Sequence, residues 1–390
     1  MPARQSFYAE SLAESSTTSA DWTNTLSLTF TPDDDANYWL FASAAFTNSS
    51  GTNDHVGWVS VYHVQAETML LEQSMQRQEA SSPQDWVGVF GIAKLSFGVA
   101  PGEQQLDVNI NSSHAGDTTK IRDVRLLLIK ADPADAYAES LAQVNTGSTS
   151  WQTAATLAFT PASAGDYLEI ASATRASDAN LGAMRCRLND VTGAISYGDR
   201  AWYCKDDWDN QAFAVMERLS LSAAGQTFRL EYRSESGTLS YIRDARVLAL
   251  RLDAFDNAWF ASNHATQNTA SASNQDFQTL SATPALALPH AVIAIGAYNT
   301  ASTTVSSYLN VAKDGGTVEE WNREAPNAAG WQCAGLAQRQ ALAAVATTWK
   351  WRARAETAGT TVNIGNLAIA VLQLEATPAA VRRRYMAVAG

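Results

Sequence analysis

The run Ile121-Arg122-Asp123-Val124-Arg125-Leu126-Leu127-Leu128-Ile129 returns as Ile242-Arg243-Asp244-Ala245-Arg246-Val247-Leu248-Ala249-Leu250. It returns again, more loosely, as Ile364-Gly365-Asn366-Leu367-Ala368-Ile369-Ala370-Val371-Leu372, the steps being 121 and 122 residues. Two other landmarks keep nearly the same period. Phe30-Thr31-Pro32 recurs as Phe159-Thr160-Pro161 and Ala282-Thr283-Pro284, and Tyr8-Ala9-Glu10-Ser11-Leu12 as Tyr137-Ala138-Glu139-Ser140-Leu141 and the faint Phe260-Ala261-Ser262-Asn263. A repeat this long is a whole domain with its own core rather than a solenoid unit. The chain therefore reads as one module written three times, over residues 1–131, 132–253 and 254–376, with a tail at 377–390.

Within a module the hydrophobic period is two. Leu26, Leu28 and Phe30 fall on one face of a strand, while Tyr38-Trp39-Leu40-Phe41-Ala42-Ser43-Ala44 is apolar on both faces, as a strand buried between layers must be. Seven or eight strand-sized runs separated by turns such as Ala100-Pro101-Gly102-Glu103, with no amphipathic helical run, predict an all-β chain of three tandem antiparallel β-sandwich domains of jelly-roll type. The linker 131–136 is short, so neighbouring modules are expected to touch.

Composition narrows the function classes. With 46% apolar and 17% charged residues the chain suits a packed globular protein, and a net charge of −12 argues against a nucleic-acid partner. No apolar run is long enough to span a membrane, and the first residues do not read as a secretion signal. Cys186, Cys204 and Cys333 occupy unshared positions and form no disulfide framework. His55, His63, His114, His264 and His290 share no repeat position and no metal-ligand spacing, and no nucleophile elbow or phosphate loop is present. The acidic clusters Asp33-Asp34-Asp35 and Asp206-Asp207-Trp208-Asp209-Asn210 match no calcium-loop spacing and read as solvated loops. No cofactor, no metal site and no catalytic residue is expected, and the protein is not expected to be an enzyme.

Three constellations remain. Arg122/Asp123 and Arg243/Asp244 are adjacent strand residues on opposite faces, so one member of each pair should enter or skirt the core and require a partner. They read as structural salt bridges, lost in the third module. Trp58 with Tyr62, and Trp349 with Trp351, share a face by even spacing and are candidates for a glycan-stacking platform if exposed, or for core filling if buried; Trp22 and Trp151, repeated near strand starts, read as core. Arg382-Arg383-Arg384 beside Tyr385 is the one basic run and a candidate partner anchor.

The strands Tyr38-Trp39-Leu40-Phe41-Ala42-Ser43-Ala44 and Ile121-Arg122-Asp123-Val124-Arg125-Leu126-Leu127-Leu128-Ile129, in an Ala/Ser/Thr-rich chain, give it the look of virion structural proteins of tailed bacteriophages. The resemblance implies a non-enzymatic particle-surface component, made in the host cytoplasm, that decorates a capsid through contacts with other virion proteins of the head or tail. The alternative it implies is a carbohydrate- or receptor-binding protein of a tail fibre or adsorption apparatus, with a host-surface glycan as partner. Three like domains in one chain could also imitate a trimer and sit on a threefold position of a shell.

Overall fold

The computed structural model describes residues 4–49, 56–76, 86–114, 117–177, 183–203, 210–235, 237–300, 302, 305–323 and 330–375. Apart from one turn of 3₁₀ helix at Leu252–Ala254, the regular structure among them is β-strand. The first module holds β1 (Ser6–Ser11), β2 (Ser15–Thr17), β3 (Thr23–Phe30), β4 (Asn37–Ser49), β5 (Val56–His63), β6 (Thr68–Gln76), β7 (Val87–Ser96), β8 (Gln104–Ser112) and β9 (Thr118–Lys130). The second holds β10 (Ala136–Ser140), β11 (Val144–Thr146), β12 (Gln152–Phe159), β13 (Gly165–Ser177), β14 (Ala183–Asp190), β15 (Ile195–Tyr203), β16 (Gln211–Leu221), β17 (Gln226–Ser234) and β18 (Ser240–Arg251). The third holds β19 (Ala258–Asn263), β20 (Gln267–Thr269), β21 (Gln275–Ala282), β22 (Leu288–Thr300), β23 (Ser307–Lys313), β24 (Gly316–Arg323), β25 (Gln332–Leu342), β26 (Thr347–Ala355) and β27 (Val362–Gln373).

Each set of nine makes two antiparallel sheets in one strand order. In the first module these are β1-β9-β4-β7, with β2 beside β9, and β3-β8-β5-β6; the other modules repeat both orders. This is the two-sheet jelly roll. The alternation Leu28, Phe30 on β3 and Leu106, Val108, Ile110 on β8 faces Tyr38, Leu40, Ala42 and Ala44 of β4 across the sandwich, and these side chains form one buried cluster.

The other face of β4 explains why that strand is apolar throughout. Trp39 and Phe41, with Leu168 and Ile170 of β13 and Ala291, Ile293 and Ile295 of β22, belong to a single cluster drawn from all three modules. The inner sheets thus pack on one another around a pseudo-threefold axis, and the three sandwiches close into a ring. Near the axis the equivalent pairs Val87/Gly88, Gln211/Ala212 and Gln332/Cys333 line a narrow crevice. The approach is so close that a Cβ on Gly335 would lie 2.4 Å from the Phe90 ring, and one on Gly88 would lie 2.7 Å from the Cys333 carbonyl oxygen.

The linkers are tied at one carboxylate. Asp135 accepts from Arg4 Nη1 at 2.7 Å and Nη2 at 3.1 Å, from Trp39 Nε1 at 2.8 Å, and from the backbone N–H groups of Asp132 at 2.9 Å and Arg251 at 2.8 Å. It joins the first strand's approach, the first linker and the end of the second module in one buried knot.

Candidate functional site

The repeated Arg-Asp motif folds into a bulge. On β9 the register against β4 jumps between Ser43–Arg125 and Ala45–Arg122, and the same jump occurs on β18 and β27. The residue inside each jump, Asp123, Asp244 or Asn366, has φ of 53°. Asp and Asn are the non-glycine residues that tolerate this left-handed conformation, so the change to Asn in the third module preserves the backbone. The bulge re-aims the flanking arginines outward from their own sandwich, a common use of such irregularities.

These arginines do form structural salt bridges, and their main partners lie in neighbouring modules, which the sequence reading did not specify. Asp123 is 3.5 Å from Arg122 Nε, but Arg122 Nη2 donates to the Glu320 carbonyl of β24 at 2.9 Å, and Arg125 Nη1 pairs with the Glu319 carboxylate of the same strand. Both Arg125 and Glu319 are buried. Burial pushes the Glu319 carboxyl above its usual range against the pull of Arg125. One seam round the ring, Arg243 Nη2 donates to Glu72 Oε1 of β6 at 2.9 Å and Arg246 Nη2 to the Leu70 carbonyl at 2.6 Å. At the third seam the arginine comes from the other side. Gly365 and Ala368 stand where the first two modules have arginine, and Arg200 of β15 fills the space: a Cβ on Gly365 would lie 2.8 Å from Arg200 Nη2, which donates to the His264 carbonyl at 2.6 Å. Arg122 lies over the Trp86 ring at 4.2 Å, and Arg200 over the equivalent Trp331 at 4.9 Å.

Backbone bonds reinforce each seam at equivalent places. Trp86 and Asn322 exchange N–H···O bonds of 2.8 and 3.1 Å, Ser74 N–H donates to the Asn210 carbonyl at 3.0 Å, and Trp331 N–H donates to the Ala201 carbonyl at 3.1 Å. Each edge strand β24, β6 and β15 is thereby covered by the next module, which removes an edge that could otherwise recruit other chains. Inside the ring, Ile92 N–H donates to Ser172 Oγ at 3.2 Å and Ala337 N–H to Ser43 Oγ at 3.1 Å. At the third seam the corresponding position is Ile295, which has no hydroxyl.

The aromatic candidates separate. Trp349 and Trp351 are fully buried, with Trp351 Nε1 donating to the Ala368 carbonyl at 3.1 Å, so they are not a platform: they point into the third sandwich because β26 alternates inward at those positions. Trp58 and Tyr62 are half-buried on the outer face of β5. Trp22 is 41% exposed rather than in the core, and Trp151 is only half-buried. The β5–β8 register sets Trp58 against Asn111 and Ser60 against Asn109. The β3–β8 register carries the row on to Trp22, one residue before the pair Thr23–Ile110. Arg382, Arg383, Arg384 and Tyr385 lie outside the described residues, as do Asp206, Asp207, Trp208, Asp209 and Cys204. Asp33 pairs with Lys130 at 2.5 Å and Asp34 accepts from the Ala100 N–H at 2.8 Å. Among the described residues no group of three His, Cys, Asp or Glu side chains could hold a metal ion, and Cys186 and Cys333 are buried thiols.

No family model matches the chain, and no curated protein is similar to it. Among solved structures, a peptide-N(4)-(N-acetyl-beta-D-glucosaminyl) asparagine amidase is 7% identical over 62% of this chain and 97% of its own, with a TM-score of 0.31. A triple jelly roll of the turret assembly in an archaeal virus is 8% identical over 90% of this chain and 82% of its own, with a TM-score of 0.20. The tandem CBM22 domains of Paenibacillus barcinonensis Xyn10C are 10% identical over 62% and 92%, also with a TM-score of 0.20. At such scores the likeness ends at β-sandwich architecture.

Proposed function

We propose that this chain is a structural component of a virion surface, acting by covering and holding through protein contacts rather than by catalysis. The observation that carries the reading is the ring: three jelly rolls share one apolar centre and seal one another's sheet edges, so a single chain presents the outline of a trimer. Such a body fits a position of threefold symmetry on a shell without needing copies to assemble first. The buried Arg125–Glu319 pair and the half-buried Arg243–Glu72 pair tie two of the seams and leave the outer sheets and loops to meet neighbouring shell proteins.

Electron microscopy of purified particles from the source, with the chain located by a bound antibody fragment, tests this. A triangular density of one chain at a threefold or local threefold position on the outside is expected. Particles whose surface lacks the chain overturn the reading.

A further inference from the structure

The three outer sheets, β3-β8-β5-β6 and its two counterparts, are built on one plan but differ in chemistry. In the second module the face is laced with ions: Arg187 and Arg233 lie 4.1 and 4.9 Å from the Trp151 ring, Arg187 pairs with Glu231 at 2.7 Å, and Arg185 pairs with Asp199 at 3.0 Å and Glu235 at 2.5 Å. In the third, Arg354 caps the Tyr308 ring at 3.6 Å, and Arg352 and Lys350 share Asp276. Tyr308 occupies the place of Trp58, and Arg354 and Arg233 the place of Asn111.

The first module alone leaves its rings uncapped. Among the described residues no guanidinium or second ring lies over Trp22, Trp58 or Tyr62, and Asn109 and Asn111 stand where the others have charges. Trp58, Ser60, Tyr62 and Asn109 make no side-chain hydrogen bond within the described residues, and the buried Asn111 Oδ1 has no partner. Trp58 and Tyr62 are four residues apart on one strand face, a spacing of about 13 Å, and Trp22 lies two strand intervals from Trp58, about 10 Å. Uncapped ring faces flanked by uncharged carboxamides match the apolar C–H face and hydroxyl edge of a sugar. A basic peptide or an anionic ligand would need free charge, and the acids on this face are already engaged: Asp107 accepts from Ser27 Oγ at 2.7 Å and Gln105 Nε2 at 2.8 Å, and Glu72, opposite Ser60, accepts from Arg243 Nη2 at 2.9 Å.

From this internal contrast we propose that the outer face of the first module, centred on Trp58 with Tyr62, Trp22, Asn109 and Asn111, binds a neutral oligosaccharide. The second and third modules do not, because their own arginines occupy the equivalent rings. One binding face on a three-module body gives single-site attachment without avidity.

The test uses the full chain and hexasaccharides of β-1,4-linked glucose, xylose and N-acetylglucosamine and of α-1,4-linked glucose, titrated by calorimetry and tryptophan fluorescence. One member is expected to bind with a stoichiometry of one, with at least tenfold weakening in Trp58→Ala and in Tyr62→Ala, and no change in Tyr308→Ala or Arg187→Ala. Thermal melts accompany each variant, and Asn109→Ala, which removes no buried ring, serves if Trp58→Ala fails to fold. Binding by none of the four sugars at millimolar concentration overturns the proposal, as does binding that survives Trp58→Ala, Tyr62→Ala and Asn109→Ala together.

Discussion

At the residue scale the least expected feature is Glu169. It occupies the place of Leu40 in the first module and Val292 in the third, pointing into the second sandwich, fully buried, with neither carboxylate oxygen bonded. Desolvation, with a smaller contribution from Asp190, pushes its carboxyl well above the usual range, which favours the neutral acid in the folded state. Below the unfolded carboxyl's own pKa both states are protonated. As pH rises past it the unfolded state ionises first, and stability falls until the folded group also titrates. Glu169→Leu is therefore expected to stabilise the protein by about 1–3 kcal/mol near neutrality, the cost of an unpaired buried polar group, and by less at pH 4. Denaturant melts of both proteins at pH 4 and pH 8 measure this, and an equal gain at both would show that the carboxyl ionises normally. The bulge residues make a second case. Asp244→Asn should scarcely disturb the backbone, since Asn366 holds the same φ, whereas Asp244→Val should cost about 1–2 kcal/mol for a β-branched side chain forced left-handed.

At the element scale the marker strands β9, β18 and β27 are the hinges of the design, each shared between its own sandwich and a seam. Arg125→Met leaves Glu319 buried without its partner and is expected to cost about 3–5 kcal/mol, while Arg125→Met with Glu319→Leu recovers most of it. Urea melts of the two single variants and the double variant measure the coupling, and additive losses would mean the two side chains do not depend on each other. The strands, their alternation and the both-face burial of β4 were legible in the sequence, because period-two patterning and a repeat leave direct traces. The partners of Arg122, Arg125, Arg243 and Arg246 were not. Their partners lie far along the chain, 171 positions for Arg243–Glu72 and 194 for Arg125–Glu319, and no local spacing records them. The one available hint was that the arginine pair vanished from the third copy while its bulge residue stayed polar. The uncapped state of Trp58 was likewise hidden, since whether an arginine covers a ring depends on cross-strand register rather than on neighbours in the chain.

At the scale of the whole molecule the shared centre sets how the protein should unfold and associate. Leu168, Ile170, Met216, Leu248 and Leu250 of the second module pack in one buried cluster with residues of the other two modules, so the intact chain is expected to be monomeric and to unfold in one cooperative step. Light scattering after gel filtration, together with calorimetry comparing the van't Hoff and measured enthalpies, checks both; three resolved transitions would contradict a common core. Residues 132–253 alone would expose that apolar sheet and the bare edge of β15, and are expected to self-associate. The arginine that crosses one seam backwards, Arg200 seated over Gly365, points to something no assembly of identical subunits could reach. When three copies are encoded separately, a substitution alters one joint and leaves the other two as they were, so each can be refitted with its own chemistry. Polypeptide fusion has here exchanged exact symmetry for the freedom of three faces to specialise.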